Sequence, residues 1–132
     1  MMTIKERIQT RLKRSKRYVF TRDDFKDIAD YDQIGRVLRN LVKEGLLLRV
    51  GYGLYTKARK NSITGKIMPA SPGGSDAVIL ESLDRLNVHY TLDASTTKYI
   101  KGETTQVPAY TQVKTSPRFK RALSVGNSRL NG

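Results

Sequence analysis

The sequence predicts an α+β fold in which three helices and a β-hairpin precede a smaller region of one helix and short strands. Three observations carry this reading. Apolar residues recur at helical spacing in Ile4, Ile8 and Leu12, and again in Ile34, Val37, Leu38, Leu41 and Val42. At Leu46 the period changes to a β-prone run that Gly51-Tyr52-Gly53 turns back on itself. Beyond residue 60 the periodicity stops in a stretch bearing Gly65, Pro69, Pro72, Gly73 and Gly74.

Thr3–Ser15 reads as the first helix, with Thr3 as its cap and Glu6 three residues on, as in a capping box. Tyr18-Val19-Phe20 is a short β-prone run. Thr21 and Asp24 repeat the capping-box spacing, so a second helix is expected from about Arg22 to Ala29, burying Phe25 and Ile28. Asp30-Tyr31-Asp32 reads as a turn, with Asp32 capping a third helix that runs to about Glu44. Gly45 follows where a left-handed C-cap belongs. Gly35, near the start of that helix, costs roughly 1 kcal/mol relative to Ala in a helix interior. Either something approaches it closely, the second helix or a phosphate backbone, or it lies near enough to the end for the cost to be small. Leu46–Val50 and Leu54–Thr56 then form a hairpin.

Lys57–Gly74 reads as a linker or long loop with a boundary near residues 60–75. Ser75–Leu86 reads as a fourth helix capped by Ser75, with Val78, Ile79, Leu83 and Leu86 on one face. Val88–Leu92, Thr104–Val107, Tyr110–Val113 and Arg118–Val125 read as short strands, which Pro108 and Pro117 confine to edges. The order of the first half is that of a winged helix-turn-helix, the third helix being the recognition element and the hairpin the wing. The expected organisation is therefore a DNA-binding domain over 1–60, a linker over 61–74, and a dimerisation or partner-binding extension over 75–132.

Charge indicates the partner. The chain has 132 residues, 25 Lys and Arg against 12 Asp and Glu, and a net charge of +13. Such an excess is self-repulsion for an isolated domain, whereas a polyanion turns it into attraction through counterion release. Residues 1–60 hold 16 basic and 7 acidic side chains, and residues 61–132 hold 9 and 5, so the phosphate-facing surface belongs mainly to the first half. No apolar run approaches the ~20 residues that span a bilayer. Met1–Leu12 is charged and amphipathic, without the apolar block of a secretory leader. The reading is of a cytoplasmic, nucleoid-associated protein that does not engage membranes.

The third helix carries Gln33, Arg36, Arg39, Asn40 and Lys43 on its polar side, with Arg36, Asn40 and Lys43 on one stripe. Arg pairs with guanine through two hydrogen bonds, and Asn or Gln does the same with adenine, so these are the base-reading candidates. A plain solvated face is the alternative, and the position between a turn and a hairpin in a strongly basic chain favours base contact. The phosphate-contacting candidates are Arg11, Arg14, Lys16 and Arg17 in the basic run Arg11–Arg17, and Arg49, Tyr52, Lys57, Arg59 and Lys60 on or after the wing. Tyr52 stands between two glycines at the hairpin tip, either as an exposed turn residue or as a contact to phosphate or minor groove.

There is no cysteine and one histidine, which excludes disulfides, cysteine zinc sites and thiol catalysis. His89 lies near Asp93 and Ser95, but all three sit in one short segment without nucleophile-elbow spacing. Asp23, Asp24 and Asp27 fit capping and helix-dipole roles better than metal ligation. No phosphate-cradling glycine motif is present. Neither an enzyme nor a cofactor or metal site is expected. Double-stranded DNA is the expected partner; a protein-interaction module and a structured-RNA binder remain the alternatives. The lack of aromatic pairs on a predicted strand counts against single-strand stacking.

The stretch Val19–Thr56 resembles the N-terminal winged-helix domain of the abortive-infection type IV antitoxins. The resemblance rests on Phe20-Thr21-Arg22-Asp23-Asp24-Phe25 and on Val37-Leu38-Arg39-Asn40-Leu41-Val42-Lys43-Glu44-Gly45-Leu46 continuing through Gly51-Tyr52-Gly53-Leu54-Tyr55. Thr104-Thr105-Gln106-Val107-Pro108 is similar to a related group of uncharacterised bacterial winged-helix proteins. The resemblance implies a bacterial or mobile-element regulator that represses its own operon, with a cognate nucleotidyltransferase-like toxin as a further partner. The second half is expected to support a homodimer or to bind a protein partner.

Overall fold

The computed structural model describes residues 2–92, 113–126 and 128–131. It is an α+β arrangement of three helices and antiparallel strand pairs. Helix α1 spans Ile4–Arg14, with Thr3 and Glu6 capping each other reciprocally and Ile8 and Leu12 buried. Strand β1 (Val19–Thr21) leads into a single 3-10 turn, Arg22–Phe25. Helix α2 spans Tyr31–Lys43. Strands β2 (Leu47–Gly51) and β3 (Leu54–Lys60) form the hairpin, with Gly45 in the left-handed region at φ 79° just after α2. Strand β4 (Ile67–Pro69) precedes helix α3 (Gly74–Arg85). The short strands β5 (Tyr90–Leu92), β6 (Val113–Thr115), β7 (Leu123–Val125) and β8 (Ser128–Leu130) follow.

Several expectations are corrected in detail. The second helix, expected over Arg22–Ala29, is a 3-10 turn of 4 residues. Phe25 and Ile28 are three residues apart, a spacing a 3-10 turn satisfies as well as an α-helix, and the Ile28 amide donates to the Phe25 carbonyl at 2.9 Å. The cap of α2 is Asp30, not Asp32: its carboxylate accepts the Gln33 amide at 2.8 Å, and Asp32 is already helical. Helix α3 is capped by Gly73, which leaves Ser75 inside the helix. Residues 61–74, read as linker or loop, contain β4, which pairs with β3 from Ala58↔Pro69 to Lys60↔Ile67. Of Arg118–Val125 only Leu123–Val125 is strand. The expected strand Thr104–Val107 lies outside the described residues, as does all of Tyr110–Val113 except Val113.

Strand β3 is the centre of the sheet. It pairs antiparallel with β1, Val19↔Thr56 through Thr21↔Leu54, and with β2, Leu47↔Lys57 through Gly51↔Leu54. Side chains alternate across the pleat, and here both faces are apolar. Phe20, Leu47 and Tyr55 face a core that also takes Ile8, Leu12, Phe25, Ile34, Leu38 and Leu41. Val19, Val50 and Leu54 face a second core with Val78, Ile79 and Leu83 of α3 and Leu123 and Val125 of β7. The second core thus draws on residues from both sides of 61–74. Glu81 of α3 fastens it by accepting the backbone amides of Tyr18 at 2.9 Å and Val19 at 2.5 Å.

Candidate nucleic-acid interface

Helix α2 buries Ile34, Leu38 and Leu41, which recur at i, i+4 and i+7 and face the first core. The opposite side is therefore left to solvent. Gln33, Arg36, Arg39, Asn40 and Lys43 are all exposed there. Arg36, Arg39, Asn40 and Lys43 line one shallow hollow together with Val37. Among the described residues none of the three cations of this helix is ion-paired, whereas cations elsewhere are: Lys5 with Glu44, Arg11 with Asp27, and Arg17 and Arg85 with Asp24.

The proposed phosphate contacts divide into three groups. Arg14 and Lys16 are exposed at and just beyond the end of α1. Arg11 and Lys57, by contrast, are committed within the chain. Arg11 donates to the Asp24 carbonyl at 2.9 Å and grips the Asp27 carboxylate through its two terminal guanidinium nitrogens at 2.6 and 2.8 Å. That bond raises the Arg11 pKa and holds the Asp27 carboxyl down at about 2. Lys57 turns its ammonium to the Ser15 carbonyl at 2.7 Å, over the rings of Tyr18 and Phe20. Burial lowers its pKa, the nearby Glu81 opposing. Arg17 is partly engaged by Asp24 at 3.4 Å.

The hairpin does not gather its cations at one place. Tyr52 is 69% exposed at the tip, and Arg49 is exposed close by, its Nε donating to the Gly51 carbonyl at 3.3 Å. Arg59 and Lys60 are exposed at the far end of β3. At about 3.3 Å per residue of extended chain, Lys60 stands roughly 20 Å from Leu54, the first β3 residue after the tip.

Two arginines escaped the sequence reading. The Arg22 guanidinium lies over the Tyr31 ring, 4.3 Å from its centroid. It also occupies the space above Gly35, where an added Cβ would come 2.7 Å from the Arg22 Cζ. The close approach that Gly35 permits is thus that of a side chain from the 3-10 turn. Arg121, just before β7, donates to the Tyr52 carbonyl at 2.6 Å and so ties the later part of the chain to the hairpin tip. Gly35 was the one sequence signal of such a neighbour; nothing local marked Arg121.

His89 is exposed, and Asp93 and Ser95 lie outside the described residues. Among the described residues no three His, Asp or Glu side chains gather as metal ligands, and no helix is long and apolar enough to cross a membrane.

Fold and site together define a basic α+β protein that presents, along one helix beside a β-hairpin, cations unpaired among the described residues. The chain belongs to DUF6088, a family of unknown function, whose model matches residues 3–130. No curated protein and no solved structure matched it.

Proposed function

We propose that this protein binds duplex DNA with sequence preference, α2 entering the major groove as the recognition helix and the β2–β3 hairpin serving as the wing. In this reading Gln33, Arg36, Arg39, Asn40 and Lys43 address base edges. Arg14, Lys16, Arg49, Tyr52, Arg59 and Lys60 meet the backbone, which positions the helix without reading sequence. The function is that of a transcriptional repressor, and the resemblance to antitoxin winged helices supports an autorepressor of a toxin–antitoxin-like or defence-associated operon.

The exposed, unpaired row on α2 carries the reading. Arg36 and Arg39 are three residues apart, and Arg39 and Lys43 four apart, so they are neighbours on one helix surface. Like charges so placed cost about 0.2–0.5 kcal/mol per pair. Asp24, Asp27 and Glu44 are spent on cations elsewhere. A polyanion offsets that repulsion, and a groove lined with acceptors matches Arg and Asn donors.

Selection of bound duplexes from a random pool tests the proposal. A recovered consensus is expected, with matched duplex bound more tightly than scrambled. If six phosphates are contacted, affinity falls about a thousandfold from 50 to 200 mM salt. Equal binding of matched and scrambled duplexes removes the sequence preference. Preference for structured RNA over any duplex removes the DNA assignment.

A further inference from the structure

A cleft of about 260 Å³ opens where the 3-10 turn, the first turn of α2, the hairpin tip and the segment before β7 meet. Arg22, Tyr31, Tyr52 and Arg121 line it, with Asp23 as its one carboxylate among the described residues. We propose that Arg22 and Arg121 clamp one backbone phosphate of the duplex in this cleft, so that the second half of the chain contributes directly to the interface.

Arg22 is held rather than loose. Its guanidinium lies over the Tyr31 ring and close against Gly35. Its Nε is buried without a hydrogen-bond partner, and among the described residues no carboxylate pairs with it. Arg121 spends one nitrogen on the Tyr52 carbonyl, and among the described residues the rest of its donor fork has no acceptor. Two planar forks at the mouth of a small cleft suit a tetrahedral anion, which each can meet with paired N–H donors. Tyr31 and Tyr52, 51% and 69% exposed, line the same cleft.

The source of the phosphate follows from the duplex reading, on which this inference rests. On B-DNA the major and minor grooves are separated by one strand's phosphodiester backbone. A helix in one groove and a hairpin tip at the next must therefore straddle that strand, and the cleft lies between them.

The test is the slope of log K against log salt for the full chain on a selected duplex, compared with Arg121→Gln and Arg121→Lys. The glutamine variant keeps a donor for the Tyr52 carbonyl and removes the charge. Its slope is expected to fall by about 0.9, the share of one phosphate, with matched and scrambled duplexes losing affinity by the same factor. The lysine variant, which keeps the charge, is expected to keep the slope. Wild-type protein that binds duplex with the same slope as Arg121→Gln overturns the clamp and leaves the function standing. Saturable binding of inorganic phosphate that is lost in Arg121→Gln, with the duplex slope unchanged, assigns the cleft to a small phosphorylated ligand and also overturns it. Wild-type protein that binds no duplex removes the function and the clamp together.

Discussion

The ammonium of Lys57 lies 2.7 Å from the carbonyl oxygen of Ser15 and so fastens β3 to the end of α1. A cation read from sequence as a phosphate contact is a structural tie. Lys57→Met is expected to lower stability by about 1.5–3 kcal/mol, the range for losing a charge-assisted hydrogen bond. Urea midpoints measure that loss, and the salt slope of DNA binding should not move. The pH sign also follows. Burial lowers the Lys57 pKa, so the folded state holds this proton less tightly than the unfolded chain. Its contribution therefore becomes more favourable as pH rises from the folded value towards 10.5.

Asp27 responds at the other end of the scale. Its hydrogen bond with Arg11 depresses its pKa from 3.8 to about 2. A depressed carboxyl contributes stability above its unfolded pKa and loses it as pH falls through the folded one. Thermal midpoints should therefore drop between about pH 4 and pH 2, and Asp27→Asn should flatten that part of the profile. A wild-type profile already flat there would show that the exposed pair contributes nothing.

On the proposed assignment of α2, position decides the kind of loss. Arg36→Ala and Arg39→Ala are each expected to reduce discrimination between matched and scrambled duplex by about 1–3 kcal/mol. Lys60→Ala, at the far end of β3, should weaken both duplexes alike and lower the salt slope by about 0.9. Binding isotherms on the two duplexes separate the cases, and equal losses on both from Arg36→Ala would remove it from base reading.

Gly35→Ala separates stability from binding. Alanine gains up to roughly 1 kcal/mol of helix propensity. Its Cβ would come 2.7 Å from the Arg22 Cζ and push the guanidinium off the Tyr31 ring, a loss that offsets part of that gain. The variant is expected to be as stable as wild type or more so, yet weaker on duplex through the lost Arg22 contact. Unchanged affinity in a stable Gly35→Ala protein would count against Arg22 as a phosphate contact.

Elements stabilised by their own pattern were legible in the sequence. Thr3 and Glu6 announce the start of α1, and Ile34, Leu38 and Leu41 fix the inner side of α2, hence the outer side that bears Arg36, Arg39, Asn40 and Lys43. Gly51-Tyr52-Gly53 marks the hairpin. What was not legible depends on distant partners. Asp30 and Asp32 are equally good caps in isolation, and only the onset of helical geometry at Tyr31 chooses between them. Ile67-Met68-Pro69 sits among loop formers and becomes a strand because β3 extends far enough to pair with it. Arg11 and Arg14 look alike in a basic run, yet Asp27, 16 residues on from Arg11, singles out the first. Arg22 beside Tyr31 and Arg121 beside Tyr52 are juxtapositions of the same kind, and they build the cleft that no local pattern announces.

The sheet buried on both faces governs what severing the chain would do. Residues 62–66 form an exposed loop, and Lys66 within it offers a protease an accessible target. Cutting there would not release the part before the loop as a separate unit. The pieces would remain clasped, because parting them strips Val19, Val50 and Leu54 of Val78, Ile79, Leu83 and Leu123 and leaves the Tyr18 and Val19 amides without Glu81. The continuity that makes this molecule a single object lies in its interior, not in the covalent thread between its halves.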